Sequence, residues 1–448
     1  MDADEHDHVD VDDHDHVDEH EHVDVDEHEH VDVDVDVDDH DHGAGIMSLM
    51  NIGLIAGEYP PMQGGLGDFT RELARAIAIG GAHVPHVLAL ITPNAPTHEV
   101  IDGVQVHRTV RRWGWHTWRE LQAWVHEHQI DVLNLQYQAA AYQMHGAINL
   151  LPLMWAKMTQ SVPLVVTFHD LRVPYLFPKA GALRWQVVLQ MARSAAASIV
   201  TNAEDEATLA AHGIAKLARI PIGSNITPTR LDAFDAPAWR QAHHIPHDPA
   251  LIGYFGFMNE SKGGETLIRA LAALRQHGLN VAVLQIGGQT GASDPTNIAY
   301  LQRLSQLARE LKVQTHIHAT GFLDDRAVSE AFAACACLAL PYRDGVSFRR
   351  GTLMAALVHG CAIVTTAPKV AMPEVIHGVN LWLAPPDAPE PLADGIRRVL
   401  QEADLRQRLQ QGALALGARF GWDRIAAETV ALLGDITQRR KGGETQRH

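Results

Sequence analysis

Short apolar runs alternate with amphipathic segments along most of the chain after residue 50. The first apolar run, residues 51–56, is followed by a loop rich in glycine and proline. An amphipathic helix is predicted next, over residues 68–79, with Asp68 as its N-cap. Further strands are predicted at residues 84–91, 132–136, 164–168 and 198–201, and helices at 118–128 and 183–196. Buried strands that alternate with helices indicate a parallel, doubly wound sheet.

The same alternation restarts in the second half of the chain, after a segment rich in proline and polar residues at 221–249 that is typical of a linker. Strands are predicted at residues 251–256, 281–286, 316–320, 337–341 and 362–366, and helices at 265–276 and 296–311. The predicted fold class is therefore α/β, with two Rossmann-like domains at 46–225 and 250–417 joined by a linker at 226–249. Residues 418–448 follow as a helix and a disordered end. The crevice between two such domains is the expected ligand site.

The charge of the chain is unevenly distributed. The formal net charge of the 448 residues is −18, but residues 1–42 contain 21 of the 54 acidic residues and no Lys or Arg. The remaining chain therefore has 33 acidic and 36 basic residues, a net charge of +3. Since this body is nearly neutral and has no basic block, the composition argues against nucleic acid as a partner.

Residues 1–45 are predicted to be disordered because their only repeated apolar residue is valine and their charge is dense. One interpretation is a metal-chelating tail, since His and carboxylate ligands suit Zn²⁺ or Ni²⁺. The other is an upstream-extended start, with translation normally beginning at Met47 or Met50. The segment lacks the cationic start and the apolar core of a signal peptide.

Three features bear on the cellular compartment. The three cysteines, Cys335, Cys337 and Cys361, are too few for a disulfide framework and indicate a reducing compartment. No run approaches the ~20 apolar residues of a membrane-spanning helix, so a cytoplasmic protein is expected. The run 108–124 contains four tryptophans and several arginines, which is typical either of a weak peripheral membrane contact at the inner face of the membrane or of one core face of a helix.

Four stretches, in a fixed order along the chain, carry a resemblance to a known family. They are residues 58–68, with the glycine loop Gly64-Gly65-Leu66-Gly67; residues 165–170; residues 256–263; and residues 340–366. Together with the closing Phe420-Gly421-Trp422-Asp423, this pattern resembles the family-4 glycosyltransferases. The resemblance implies the GT-B fold, with two facing Rossmann-like domains, a cleft between them and a C-terminal helix that returns to the first domain. It also implies a retaining, metal-independent hexosyltransferase that takes a nucleotide-diphosphate sugar as donor and needs no other cofactor.

Two positions are candidates for holding the donor diphosphate. The loop glycines Gly64 and Gly65 let the backbone approach a ligand and present N–H groups, although an ordinary tight turn would use them too. The resemblance assigns phosphate binding to Lys262, for which a solvated loop lysine is the alternative. The family usually has an additional arginine where this chain has Phe257, so one expected cation is missing.

The fourth stretch departs further from the family pattern of two glutamates eight positions apart. Asp344 stands at the first position and keeps a carboxylate for sugar hydroxyls, so it is a catalytic candidate. The turn Gly345-Val346-Ser347 is expected to contact the donor. Thr352 stands at the second position, where it either reaches a ribose hydroxyl or caps the helix predicted over 353–359.

Arg349 and Arg350 are unusual in this turn. We expect at least one of them to replace the charge that is lost at Phe257, because arginine binds phosphate in a bidentate manner; surface salt bridging is the alternative.

The first domain supplies the remaining candidates. The resemblance places the catalytic His169 beside the donor sugar, where it would support the transition state, whereas a structural histidine is the alternative. Asp170 would orient or cap locally. Gln136 and Gln138 end another strand at the same edge, so they are acceptor-binding candidates, with loop packing equally compatible.

The predicted function is transfer of a sugar from a nucleotide-diphosphate sugar to a glycan, lipid or small-molecule acceptor, with retention of configuration. Two alternatives remain at this level. One is a different enzyme on the same frame, such as a sugar-nucleotide epimerase or a phosphorylase. The other is a non-catalytic glycan-binding or nucleotide-sugar-binding relative, which the missing arginine and glutamate favour. No sequence feature indicates an oligomeric state.

Overall fold

The structure of the protein, a computed structural model, describes residues 49–62, 64–159, 161–171, 183–288 and 295–445. The tail predicted over residues 1–45 lies outside the described residues. No helix among the described residues is long and apolar enough to cross a membrane.

The strands follow the apolar runs of the sequence closely. In chain order they are β1 Asn51–Ala56, β2 Val84–Leu90, β3 His98–Ile101, β4 Val104–Val110, β5 Val132–Tyr137, β6 Leu164–Phe168, β7 Ala197–Val200, β8 Leu217–Arg219, β9 Ala250–Phe255, β10 Val281–Ile286, β11 Ile317–Ala319, β12 Cys337–Leu340, β13 Ile363–Thr366 and β14 Trp382–Ala384.

The helices lie between them. In chain order they are α1 Gly65–Ile79, α2 Thr117–Glu127, α3 Gly146–Met158, α4 Leu183–Ser194, α5 Ala203–Ala211, α6 Ala236–Ala242, α7 Gly264–Gln276, α8 Pro295–Glu310, α9 Asp325–Ala333, α10 Gly351–Val358, α11 Pro389–Gln401, α12 Ala403–Gly417 and α13 Trp422–Thr445. Short 3-10 helices include one at Glu260–Lys262.

The strands form two separate sheets, as the sequence predicted. The first has the order β3-β4-β2-β1-β5-β6-β7-β8 and the second β11-β10-β9-β12-β13-β14. Each sheet is buried on both faces. In β1, for example, Leu54 belongs to the core on the α1 side and Ile55 to the core on the α2 side. The α/β class with two Rossmann-like domains is confirmed.

One strand departs from the predicted parallel arrangement. β3 runs antiparallel to β4, and the two are joined by Asp102 and Gly103, whose φ angles are 51° and 81°. Two successive residues with positive φ make the tight hairpin turn for which an Asp-Gly pair is a strong sequence signal. Neither strand of this hairpin, β3 or β4, was among the strands predicted from the apolar pattern.

Two element boundaries also differ from expectation. Helix α1 begins at Gly65, with Gly64 at the N-cap position, so Asp68 lies in the first turn and is not the cap. The segment expected to be a linker contains α6, and Trp239 and Ile245 are buried in the core of the second domain. Polar and proline-rich composition concealed this helix because few of its residues face the core.

Helix α13 returns to the first domain. Ile425, Ala426 and Leu433 are buried in the same core as α1. The indole N–H of Trp422, at the start of α13, donates to the Ser224 carbonyl at 2.6 Å. The C-terminal segment is therefore part of the folding unit formed by the first sheet.

The tryptophan-rich run packs mainly inwards. Trp113 and Trp124 are buried, and the indole N–H of Trp118 donates to the Ala147 carbonyl at 3.0 Å. Leu121 is 1% exposed, whereas Trp115 is 56% exposed. The interpretation of α2 as a helix with one core face is confirmed.

Replacing Ile425, which is fully buried, with alanine is expected to lower the free energy of unfolding by about 2–5 kcal/mol, because the change removes buried methylene groups and leaves a cavity. Urea denaturation followed by circular dichroism measures the change. Ile298→Ala is the matched control, since Ile298 lies on α8 and is 51% exposed; its effect should stay within about 0.5 kcal/mol. Equal losses for the two variants would contradict a core role for α13.

Candidate active site

A cleft with a volume of about 860 Å³ lies between the two domains. Residues at the carboxyl ends of strands line it, as expected for doubly wound sheets. It brings together most of the residues singled out from the sequence: Gln138, His169, Asp170, Asp344, Gly345, Val346, Ser347, Arg349 and Arg350. Gly64, Gly65, Lys262 and Thr352 are not among its lining residues.

Arg350 lines this cleft, and Lys262, which is not a lining residue, lies next to the start of α10. Burial and, to a smaller extent, the charge of Arg350 together lower the pKa of Lys262 to about 8. A Cβ atom added to Gly256, whose φ is 98°, would lie 2.9 Å from Lys262 Nζ and 2.7 Å from Thr352 Cγ2. Only glycine fits there, and it allows the ammonium group and the start of α10 to lie close together.

Arg350 is held by two contacts. Its guanidinium forms an ion pair with the carboxylate of Asp344 and lies over the ring of Tyr342, 4.8 Å from the centroid. The ion pair offsets part of the repulsion between Arg350 and Lys262, and the aromatic face adds a cation–π attraction. Arg350 is therefore fixed in the cleft, with Asp344 as its present anionic partner.

Thr352 does not cap the helix. Helix α10 starts at Gly351 with Arg350 at the N-cap position, so Thr352 is the second helical residue. Its hydroxyl hydrogen-bonds the phenol oxygen of Tyr342 at 2.7 Å. The capping alternative for Thr352 is wrong, because the helix begins two residues earlier than the sequence indicated.

Arg349 connects the two domains. Its guanidinium lies 3.0 Å from Glu204 Oε2 and 3.6 Å from Asp205 Oδ1, both in the first turn of α5. Asp205 is largely buried, whereas Arg349 and Glu204 are partly exposed. Arg349 therefore makes the salt bridge that stood as the alternative to phosphate binding, and this salt bridge crosses the cleft.

His169 follows β6 and is held by neighbours on two sides. Its Nε2 lies 2.9 Å from Oε1 of Gln136, and its ring packs edge-on against Phe69 at 4.6 Å. Phe69 in turn packs against Trp422, 5.2 Å away. Burial lowers the pKa of His169 to about 4, so the imidazole is neutral at neutral pH.

The two glutamines predicted to bind the acceptor have different surroundings. Gln136 is fully buried, and its side chain orients His169. It therefore acts as a positioning residue, because β5 turns it inwards rather than towards the cleft. Gln138 lines the cleft and donates to Asp170 at 3.3 Å.

The glycine loop is occupied by a side chain of the protein itself. The backbone N–H of Leu66 donates to Oε1 of Glu58 at 3.2 Å, and a Cβ atom added to Gly64 would collide with the same carboxylate. Burial raises the pKa of Glu58. The N-terminus of α1 therefore contacts a carboxyl group of the protein itself, and binding of the donor diphosphate by Gly64 and Gly65 stays a prediction.

Sequence reasoning missed four residues of this arrangement: Glu58, Glu204, Asp205 and Tyr342. Acidic residues in the first turn of a helix, such as Glu204 and Asp205, are typical of helix stabilisation, which hides a role across the cleft. Tyr342 follows a buried strand and carries no motif. Glu58 belongs to the first motif, but it is separated in sequence from the glycines. Its contact with the glycine loop was therefore not apparent from the sequence.

The comparisons with known proteins agree with this architecture. A family model described as "Glycosyl transferase 4-like domain" matches residues 64–223, and one described as "Glycosyl transferases group 1" matches residues 235–415. The two models together span most of the chain, one for each domain.

Two curated relatives illustrate the sequence similarity. A D-inositol 3-phosphate glycosyltransferase from Xylanimonas cellulosilytica is 27% identical over 62% of this chain and 68% of the relative. A phosphatidyl-myo-inositol mannosyltransferase from Mycobacterium tuberculosis is 25% identical over 85% of this chain and 96% of the relative.

Among solved structures, HepE from Anabaena in complex with UDP has a TM-score of 0.65 and 19% identity, over 86% of this chain and all of that chain. This structural similarity covers both domains, so it supports the two-domain fold as a whole. The two family matches, the two facing Rossmann-like domains and the returning C-terminal helix lead to one conclusion: the chain belongs to the family-4 glycosyltransferases, which have the GT-B fold, and it is a glycosyltransferase.

Proposed function

We propose that the protein transfers a sugar from a nucleotide-diphosphate sugar to a hydroxyl acceptor with retention of configuration, and that the cleft needs neither a metal ion nor another cofactor. One observation carries the proposal. Arg350 of the second domain and His169 of the first domain line the same cleft, and the ammonium group of Lys262 lies next to the start of α10, where Arg350 is the N-cap residue. The UDP in the related Anabaena structure is consistent with a nucleotide donor.

The cations suit the leaving diphosphate. Breaking the bond to the sugar places negative charge on the diphosphate, and fixed positive groups in a partly desolvated cleft stabilise that charge strongly. Lys262 is a compact cation, and Arg350 offers a planar fork that matches phosphate oxygens. Together they supply the charge that a metal ion supplies in other transferases.

Donor binding would exchange the partner of Arg350. When a phosphate takes the guanidinium, the carboxylate of Asp344 is released from its ion pair. It then becomes free to accept hydrogen bonds from sugar hydroxyls, which is the role that the resemblance implies. The ion pair in the empty cleft thus holds both groups in place until the donor arrives.

His169 is suited to a neutral polar contact with the sugar. Because Oε1 of Gln136 can only accept, Nε2 of His169 carries the proton, and Nδ1 retains a lone pair. That lone pair can accept a hydrogen bond from a sugar hydroxyl. The low pKa keeps the ring neutral, so it does not compete with Lys262 and Arg350 for the diphosphate.

A phosphorylated inositol, free or as part of a lipid, is the acceptor class that we propose. The named relatives are an inositol-phosphate glycosyltransferase and a phosphatidyl-inositol mannosyltransferase. Lys369 also lines the cleft, as do Arg219 and Arg424, which are ion-paired with Glu206 and Glu428. A second phosphate would be attracted by Lys369 and could replace these glutamates as partner of the two arginines. Their charge supports an anionic acceptor rather than a neutral glycan.

Incubation of the full chain with UDP-, GDP- and ADP-sugars, with and without inositol phosphates, tests the proposal. Nucleotide release that depends on the acceptor, together with a product whose anomeric configuration by NMR equals that of the donor, is the expected result. An isomerised sugar would indicate an epimerase, and binding without turnover a non-catalytic protein. Activity that is lost with EDTA and restored by Mg²⁺ would refute metal independence.

Lys262→Gln is expected to weaken binding of the preferred nucleoside diphosphate about tenfold at pH 7.5, which corresponds to about 1.4 kcal/mol. The lysine is protonated below its pKa of about 8 and loses its charge above it. Wild-type affinity should therefore fall between pH 7.5 and 9.5, and this fall should be smaller in the variant. Isothermal titration calorimetry measures both effects.

Lys157→Gln is the matched control, since Lys157 lies exposed on α3 and does not line the cleft. Its affinity and pH profile should follow those of the wild type. A Lys262→Gln protein that binds like the control at every pH would refute phosphate binding by Lys262.

Arg349→Ala is expected to open the cleft with little loss of fold stability, because the ion pairs of Arg349 join the two domains and are partly exposed. Small-angle X-ray scattering should show a larger radius of gyration. Arg326→Ala is the control, since the ion pair of Arg326 with Glu330 lies within α9. If both variants scatter like the wild type, the bridge does not hold the cleft.

A further inference from the structure

Four histidines come together near the β3 edge of the first sheet. In the order of strands this edge, β3-β4-β2, is separated by β1 and β5 from β6, the strand that His169 follows. His86 lies on β2, His107 on β4, His98 on β3, and His128 follows the last residue of α2. None of the four lines the cleft. The cluster therefore has no part in the glycosyl transfer derived above.

Three of these side chains converge on one point. Each of His86, His107 and His128 offers one ring nitrogen, and the three nitrogens lie within 4.8 Å of one another. His86 Nδ1 and His107 Nε2 are 3.2 Å apart. Ligands of a tetrahedral Zn²⁺ with Zn–N bonds of about 2.0–2.1 Å are separated by about 3.3 Å, so this pair already has the required spacing.

Burial suits the pair to metal binding. His86 is 8% and His107 is 6% exposed, whereas His128 is half-buried and is the ring that can move. Its ring centroid lies 4.2 Å from that of His107, so a small rotation of its side chain would complete the three-ligand set.

His98 completes the arrangement from the other side. It lies directly opposite His107 in the β3–β4 ladder, and the Nδ1 atoms of the two rings are 3.2 Å apart. If Nδ1–H of His107 donates to His98, Nε2 of His107 is left with its lone pair directed at the other two histidines. Such a hydrogen bond to the far nitrogen is the usual way in which proteins fix the tautomer of a ligating histidine.

The remaining wall of the cluster is Trp124. Its ring packs edge-on against His86 and His107, with centroid distances of 6.4 Å and 5.6 Å. The indole N–H is buried and has no hydrogen-bond partner among the described residues. Buried donors are rarely left unpaired, so an unpaired indole N–H on a ring that packs against two of these histidines is a second indication of a ligand.

We propose that His86, His107 and His128 form a binding site for a divalent transition-metal ion of the Zn²⁺ type, with His98 as the positioning partner of His107 and an open fourth position for water. A water molecule bound to the metal would offer an acceptor for the N–H of Trp124. Imidazole ligands suit Zn²⁺, Cu²⁺ and Ni²⁺ and exclude Ca²⁺ and Mg²⁺ as occupants.

The ion would act on the stability of the domain rather than on the chemistry of the cleft. It would link β2, β4 and the end of α2 through one coordination centre. It would also fasten the outer hairpin, since His98 of β3 bonds to the ligand His107.

The test must distinguish this site from the N-terminal tail, because residues 1–42 contain 10 of the 29 histidines. Histidines that bind metal equally in folded and unfolded chains do not change the melting temperature. A site that exists only in the folded state raises it. The readout is therefore the Tm of the EDTA-treated full chain, measured with and without added Zn²⁺.

Zinc is expected to raise the Tm of the wild type by about 3 °C or more. His128→Ala should abolish this rise, and because His128 is half-buried the variant should still fold. His126→Ala is the matched control, an exposed histidine on the same helix, and should keep the rise.

A second measurement uses Co²⁺ in place of Zn²⁺. Subtracting the visible absorption spectrum of the His128→Ala protein from that of the wild type removes the contribution of the tail. The expected difference is the intense band of cobalt with four or five ligands. The absence of a zinc-dependent Tm rise in the wild type, an equal rise in His128→Ala, or a flat cobalt difference spectrum would each overturn the proposal.

Discussion

The proximity of two positive side chains, Lys262 and Arg350, is the interaction on which the rest of the cleft depends. Burial and, to a smaller extent, the charge of Arg350 lower the pKa of Lys262, because both disfavour the charged form of the lysine. Asp344 and the face of Tyr342 offset part of the repulsion between the two cations. A bound diphosphate would offset it better, which is why a cation pair of this kind favours a strongly anionic ligand.

The same logic of opposite charges recurs at two other places around the cleft. At the glycine loop, the N-terminus of α1 binds the carboxylate of Glu58. Between the domains, Arg349 binds Glu204 and Asp205. In each case a group of the protein occupies a position that could otherwise attract an anion. The charges around the cleft are thus paired with groups of the protein, and under the proposed function donor binding would be an exchange of partners.

The C-terminal segment also contributes to the site. Trp422 begins the helix that returns to the first domain, and it packs on Phe69, which packs on His169. The position of the imidazole therefore depends on residues from α1, β5 and α13 together. The proposed metal site lies at the other end of the same sheet, where it would stabilise the domain that carries His169 without entering the cleft.

The sequence by itself determined the two α/β domains, because buried parallel strands produce uninterrupted apolar runs that are readable without tertiary contacts. It also named Lys262, His169 and Asp344 as candidates, through the family resemblance of the stretches that contain them, and their roles stay predictions. Only the tertiary structure decided the partners of these residues.

Arg349 and Arg350 are neighbours in sequence, yet Arg349 bridges the two domains and Arg350 contacts Asp344 and Tyr342. The histidines at 86, 98, 107 and 128 are scattered through four elements, and no local pattern could bring them together. Charge pairing and metal-ligand geometry depend on distances across the fold, whereas apolar periodicity is local, and this difference separates what the sequence determined from what the tertiary structure decided.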